Sequence, residues 1–156
     1  MEKTKKHLNY LFLDVNKQGG EAQWARVGKS VEWTDSMNPT VDTFDYIEDS
    51  APTSELASYH PSTSMPLTAY MGDAVYDYVF DLYRRQVCGT GAVTRALRVY
   101  QQTEGMGNLA TLTDVLVSID NYNIATGVIT FSIAQRGTPI QAVAEMVNGE
   151  IELTVV

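Results

Sequence analysis

One stretch of this chain repeats its apolar residues at the spacing of a helix. From Asp73 to Gln86, Ala74, Val75, Tyr78, Val79 and Leu82 recur at three- and four-residue intervals and form one stripe. Asp73 follows Gly72 and suits an N-cap, with Asp77 still near the positive helix end. Arg84 and Arg85 fall in the last turn, where the dipole favours cations, and Gly89 lies just beyond. Elsewhere β-forming residues alternate with polar ones in short runs, the pattern of strands. The expected class is therefore mainly β (α+β): a β-sandwich or open barrel with one flanking α-helix over about 73–86. With 156 residues the chain suits a single domain, 1–156, able to bury a core without staples.

The strands can be placed. Residues 8–15 form the first, ended by the turn-rich 16–20. Residues 23–33, with Trp24, Val27, Val31 and Trp33, form the next, in which Gly28 marks a bulge or a close backbone approach. Further strands are expected at 41–47, 94–103, 110–120 and 128–135, the last with Ile129, Phe131 and Ile133 on one buried face. Asn148-Gly149 between apolar runs favours a type I′ hairpin that pairs Val147 with Glu150 and Glu145 with Glu152. The first arm of that hairpin, 140–147, reads as a strand, although 141–146 also suits a short helix. Between these runs, 48–66 is rich in Ser, Thr and Pro. It reads as a structureless excursion that becomes ordered only against a partner.

Charge narrows the function. The chain carries 11 Lys and Arg against 19 Asp and Glu, a net charge of −8, and no cation lies between Lys29 and Arg84. A protein that grips nucleic acid neutralises phosphates with cations, so this balance speaks against it. Cys88 stands alone, which excludes an internal disulfide and reads as a small semi-buried residue before a glycine turn. No apolar run of about 18 residues would span a membrane, and no secretory signal is expected.

The parts of an enzyme are missing. No dinucleotide-type glycine pattern, Walker sequence or nucleophile elbow occurs. His7 and His60 are far apart and have no cysteine partner, so zinc is not expected. Asp42, Asp45, Glu48 and Asp49 lack the glycine of an EF-hand loop. Asp73, Asp77 and Asp81 read as the wet face of the helix. Neither a catalytic residue, a metal nor a cofactor is expected.

Several runs carry a resemblance. Trp24-Ala25-Arg26-Val27-Gly28, Trp33 through Asn38-Pro39, Tyr46-Ile47-Glu48-Asp49 and Tyr59-His60-Pro61-Ser62 are four of them. The fifth is Ala69-Tyr70-Met71-Gly72-Asp73-Ala74-Val75-Tyr76-Asp77-Tyr78-Val79. Together the chain resembles the major tail tube proteins of long-tailed, siphovirus-like bacteriophages and prophages of Gram-positive bacteria. The likeness covers 20–83 well and the rest in pattern only.

The resemblance implies homo-hexameric rings whose sheets join edge to edge as a ring-wide β-barrel. Such rings stack into a hollow tube around a tape-measure protein, between tail tip and terminator proteins, and double-stranded DNA later passes through without being bound. It implies a place in the virion tail after synthesis in the cytoplasm of the bacterial host. An N-terminal arm, 1–7, and the loop 48–66 would reach neighbouring subunits, with Asp49, Pro52, Glu55, Tyr59, His60 and Pro61 as contact candidates. Glu145, Glu150 and Glu152, then Asp114 and Asp120, are candidates to face the channel, where carboxylates would repel DNA. Two alternatives stay open: a terminator or neck ring protein, and a monomeric β-sandwich binding module using Tyr46, Tyr59 and Tyr70 as a platform.

Overall fold

A computed structural model of the chain describes residues 3, 5–16, 21–100, 108–147 and 150–156. Its strands are β1 (Asn9–Asp14), β2 (Trp24–Arg26), β3 (Thr34–Ser36), β4 (Pro39–Phe44), β5 (Thr53–Tyr59) and β6 (Ser62–Thr68). After the helix α1 (Ala74–Arg85) come β7 (Val93–Tyr100), β8 (Asn108–Asn123), β9 (Val128–Gln135), β10 (Ile140–Val147) and β11 (Glu150–Val155). Among the described residues nine strands form one antiparallel sheet, and β4 and β5 form a separate two-stranded one. This is the β-rich architecture with one flanking helix that the sequence leads one to expect.

The large sheet runs β2-β1-β7-β8-β9-β6-β3, and β10-β11 joins it through β8. It cannot be flat. From β7 to β3 is four strand spacings, about 19 Å in a flat sheet, yet Arg98 Nε of β7 lies 3.3 Å from Asp35 Oδ2 of β3. The segment after β2 joins the two borders: Val27 N–H donates to Leu11 O of β1 at 2.8 Å, and Thr68 N–H of β6 donates to Lys29 O at 2.9 Å. The sheet thus curls into a barrel around Leu11, Leu13, Met65, Leu67, Val115, Ile129, Phe131 and Ile133.

Helix α1 completes that core with Val75, Tyr78, Val79 and Leu82. Asp73 Oδ1 caps it by accepting from the Val75 N–H at 3.3 Å. Ala74, expected on the apolar stripe, is exposed at the helix start. The turn that ends the helix uses no glycine. Gln86 takes the left-handed conformation (φ 51°), and its N–H reaches back to Leu82 and Tyr83 carbonyls.

Beyond the barrel the sheet curls the other way. Alternate residues of the same strands, Phe12 of β1 and Leu97 and Val99 of β7, pack with Ala110, Ala142 and Ala144 in a second core flanked by Ile151 and Leu153. Strands β1 and β7 are therefore buried on both faces. The hairpin β10-β11 has the expected register, Val147 opposite Glu150 and Glu145 opposite Glu152, and 140–147 is a strand, not a helix.

Several expectations fail in instructive ways. Residues 48–66 are not a structureless loop: β5 and most of β6 lie within them, and β6 is a core strand with Thr63, Met65 and Leu67 buried. Residues 23–33 are not one strand; only 24–26 pair with β1, and the chain then leaves to close the barrel. A side chain at Gly28 would meet nothing within 4 Å, so no close approach requires that glycine. Cys88 is exposed, not semi-buried. The turn at 17–20, the end of the expected strand at 101–103, the Asn148-Gly149 turn, the Glu150 side chain and residues 1, 2 and 4 of the arm lie outside the described residues.

Candidate assembly interface

The β4-β5 hairpin stands off the body. Its root is fixed: Asn38 Nδ2 donates to His60 O at 3.0 Å and to Ser62 Oγ at 3.2 Å, and His60 N–H donates to Met37 O at 3.0 Å. Beyond that root no residue of either strand is buried, and all but Phe44 and Ser58 are exposed. Six to seven residues per strand at about 3.4 Å each extend it roughly 20 Å before the turn. Two-stranded hairpins alone in water are marginal. Val41 lies opposite Leu56 on one face, each about half exposed at 54% and 52%. Asp42 lies opposite Glu55 on the other, a pairing of like charges that costs stability. Phe44 stacks on Tyr46 at 5.7 Å, and the Asp49 N–H closes the tip on Tyr46 O at 3.0 Å.

The loop candidates from the sequence therefore divide. Asp49 and Pro52 lie at the hairpin tip, Glu55 at its middle and Tyr59 at its end, opposite Pro39. His60 and Pro61 belong to the root, where Pro61 O accepts from the Gln135 N–H at 2.9 Å and ties the hairpin to β9. The tyrosines Tyr46, Tyr59 and Tyr70 are all about half exposed.

A groove of about 740 Å³ opens elsewhere on the body. Its floor is apolar, with Val27, Trp33, Met65 and Tyr100, and Lys6, His7 and Arg26 stand along it. Arg26 lies 4.1 Å over the Tyr10 ring. Val31 at this groove is 92% exposed. Asp35, also lining it, is neutralised by Arg98 and accepts from Trp33 Nε1 at 3.1 Å and from Thr63 Oγ1. Sequence reasoning missed this groove because its residues come from four separate segments, and only the isolated Val31 between polar neighbours hints at it.

The channel candidates fall on two faces. By register, Glu145 and Glu152 are opposite one another on the side of β10-β11 turned away from the second core, and both are exposed. Asp114 and Asp120 are exposed on the outer face of β8, where Asp120 accepts from Ser132 Oγ at 2.6 Å. That outer face continues over β9 and β6 with Thr130, Ser132, Ser62, Ser64 and Thr68, and β3, β6, β8 and β9 contain no lysine or arginine.

On the helix, Tyr76, Phe80 and Tyr83 gather around Tyr122 of β8, with Tyr83 and Tyr122 stacked at 5.4 Å. The hydroxyls of Tyr76 and Tyr122 share a hydrogen bond of 3.0 Å, and that bond, aided by burial, pushes the Tyr76 phenol up to about 12. The spacing of the three helix aromatics was legible in sequence; their β8 partner was not. Among the described residues no group of three or more His, Cys, Asp or Glu is placed to hold a metal ion, and no helix is long and apolar enough to cross a membrane.

No protein-family model matches the chain, and no curated protein sequence matches it. Among solved structures it superposes on a chain described as the tail of an empty GTA particle, computed with helical refinement and C6 symmetry. The TM-score is 0.59 at 11% identity, over 88% of this chain and 97% of that one. At that identity the likeness is one of fold, and this chain has the fold of a subunit from that tail.

Proposed function

We propose that the protein is the structural subunit of a phage-type tail tube, assembling as hexameric rings that stack into a hollow conduit. The observation that carries this reading is the superposition over nearly the whole of both chains on a tail subunit refined with C6 symmetry. Two features of the chain itself support it. Among the described residues no residue of the hairpin strands β4 and β5 is buried, and β11 pairs only with β10, leaving a six-residue edge. Such an edge invites aggregation unless another chain completes it; pairing between copies turns it into a seam, and the ring-wide barrel follows.

The acids have a use in such a conduit. DNA carries one charge per about 1.7 Å of axis, and a basic wall would hold it through counterion release. A wall bearing Asp114 and Asp120, or Glu145, Glu150 and Glu152, repels it instead, over a screening length of about 8 Å. The β3-β6-β9-β8 face, polar and free of strand cations, suits that wall. A tape-measure protein inside the tube, tip and terminator proteins at its ends, and DNA in transit are the partners this role entails. The sequence resemblance supports long-tailed phages of Gram-positive bacteria as the setting.

Negative-stain microscopy of the concentrated protein tests the reading: stacked hollow rings are expected. A compact monomer at every concentration and ionic strength overturns it, and single rings that never stack favour a terminating ring protein.

A further inference from the structure

We infer that the acidic tip of the β4-β5 hairpin of one copy seats in the Lys6–Arg26 groove of a second copy. This rests on the self-assembly reading above and specifies which surfaces meet.

The tip needs a partner. Residues 39–59 carry five carboxylates, Asp42, Asp45, Glu48, Asp49 and Glu55, and no cation, and none of the five has an ion pair among the described residues. Beside those charges the hairpin exposes Tyr46 and Ile47. A turn that presents aliphatic and aromatic surface ringed by uncompensated carboxylates is stabilised by an apolar floor with a cationic rim. The groove is lined by Val27, Trp33 and Met65 and by the cations Lys6 and Arg26; of its two carboxylates, Asp35 is paired with Arg98 and Glu32 has no ion pair among the described residues. Lys6 and Arg26 have no carboxylate partner among the described residues, whereas Arg84, Arg85, Arg95 and Arg98 are each paired within the chain. Among the described residues the hairpin is thus a cluster of unpaired anions, and Lys6 and Arg26 are unpaired cations at one groove.

Size agrees as well. About 740 Å³ falls in the range of pockets that take a few side chains, so the groove accommodates a turn and not a whole sheet. A chain does not fill its own groove: the hairpin leaves the body at the Asn38–His60 root, and no residue of 39–59 lines the groove.

Cross-linking tests the seating. In a Cys88→Ser background, one preparation carries Ile47→Cys and another Val31→Cys, and the two are mixed under mild oxidation. A disulfide-linked pair of copies is expected. Lys6→Glu with Arg26→Glu in the groove copy should lower its yield about tenfold or more, and Glu48→Lys with Asp49→Lys in the hairpin copy should restore it. Far-ultraviolet circular dichroism on each variant confirms that it is folded. Rings or tubes without the cross-link overturn this inference while leaving the tail-tube reading in place. A cross-link without rings upholds the seating and counts against the tube. A cross-link indifferent to charge reversal overturns the pairing of these two surfaces.

Discussion

The barrel and the hairpin are built from the same kinds of residue yet live by different rules. In the barrel, Leu67, Ile129 and Phe131 are fully buried, and β1, β7, β8, β9 and β6 each pair with a strand on both sides. In the hairpin, Val41 and Leu56 have equally good β propensity but remain half in water. The difference teaches that strand formation here does not track burial within one chain. The hairpin keeps its register through backbone pairing and its rooted base, and its side chains are left available to others.

Substitutions can break that contrast. The largest effect is expected inside the barrel, where Phe131→Ala should cost about 3–5 kcal/mol in denaturant unfolding, through lost burial and the cavity left behind. A cost under 1 kcal/mol would show that the core can collapse around the gap. Next is the helix that closes the barrel. Asp73→Ala removes the cap on Val75 and should cost about 1 kcal/mol, and Asp73→Ser should recover most of it.

Alkaline pH probes the aromatic ridge. Tyr76 is pushed up from its ordinary 10.0 to about 12, and burial also raises Tyr78 and Tyr100. The folded chain then holds protons that the unfolded chain releases. The contribution is fully present below pH 10 and is lost as pH climbs through about 12. Unfolding midpoints measured stepwise over that window should fall, and the fall should be smaller for Tyr76→Phe. A flat profile in the unaltered protein would break the link between the tyrosine bond and the fold.

The smallest effect on stability belongs to the hairpin. Leu56→Ala should leave the unfolding free energy of the isolated chain within about 0.5 kcal/mol, while lowering ring or tube yield by sedimentation. A substantial loss of monomer stability would mean that the hairpin is part of the body after all.

Much of this was legible beforehand, and the reasons are specific. The helix announced itself because caps, charges and apolar spacing all agree between Asp73 and Arg85. The register of β10-β11, down to Glu145 opposite Glu152, followed from Asn148-Gly149 and period-two alternation. What failed was the stretch from Glu48 to Pro66. Strand β5 is exposed on both faces, so it has no alternation to read. Strand β6 alternates serine and proline with Thr63, Met65 and Leu67, and Pro66 argues against a strand. That proline is tolerated because β3 pairs with β6 only as far as Ser64, leaving no named strand beside Pro66 on that side. The two-sided burial of β1 did leave a trace, the run Leu11-Phe12-Leu13, which is apolar without interruption. The groove left only the isolated Val31, because it is assembled by closure of the barrel from four separate segments.

Strand β8 has sixteen residues and a length of about 54 Å. It is bonded to β7 along one side and, on the other, to β10 near its start and β9 near its end. It works as a splice plate. Load entering the terminal hairpin passes to the barrel through one continuous backbone, and neither core can come apart without stripping bonds from the member they share. A chain spliced in this way yields as one piece, which the proposed ring would need under axial stress.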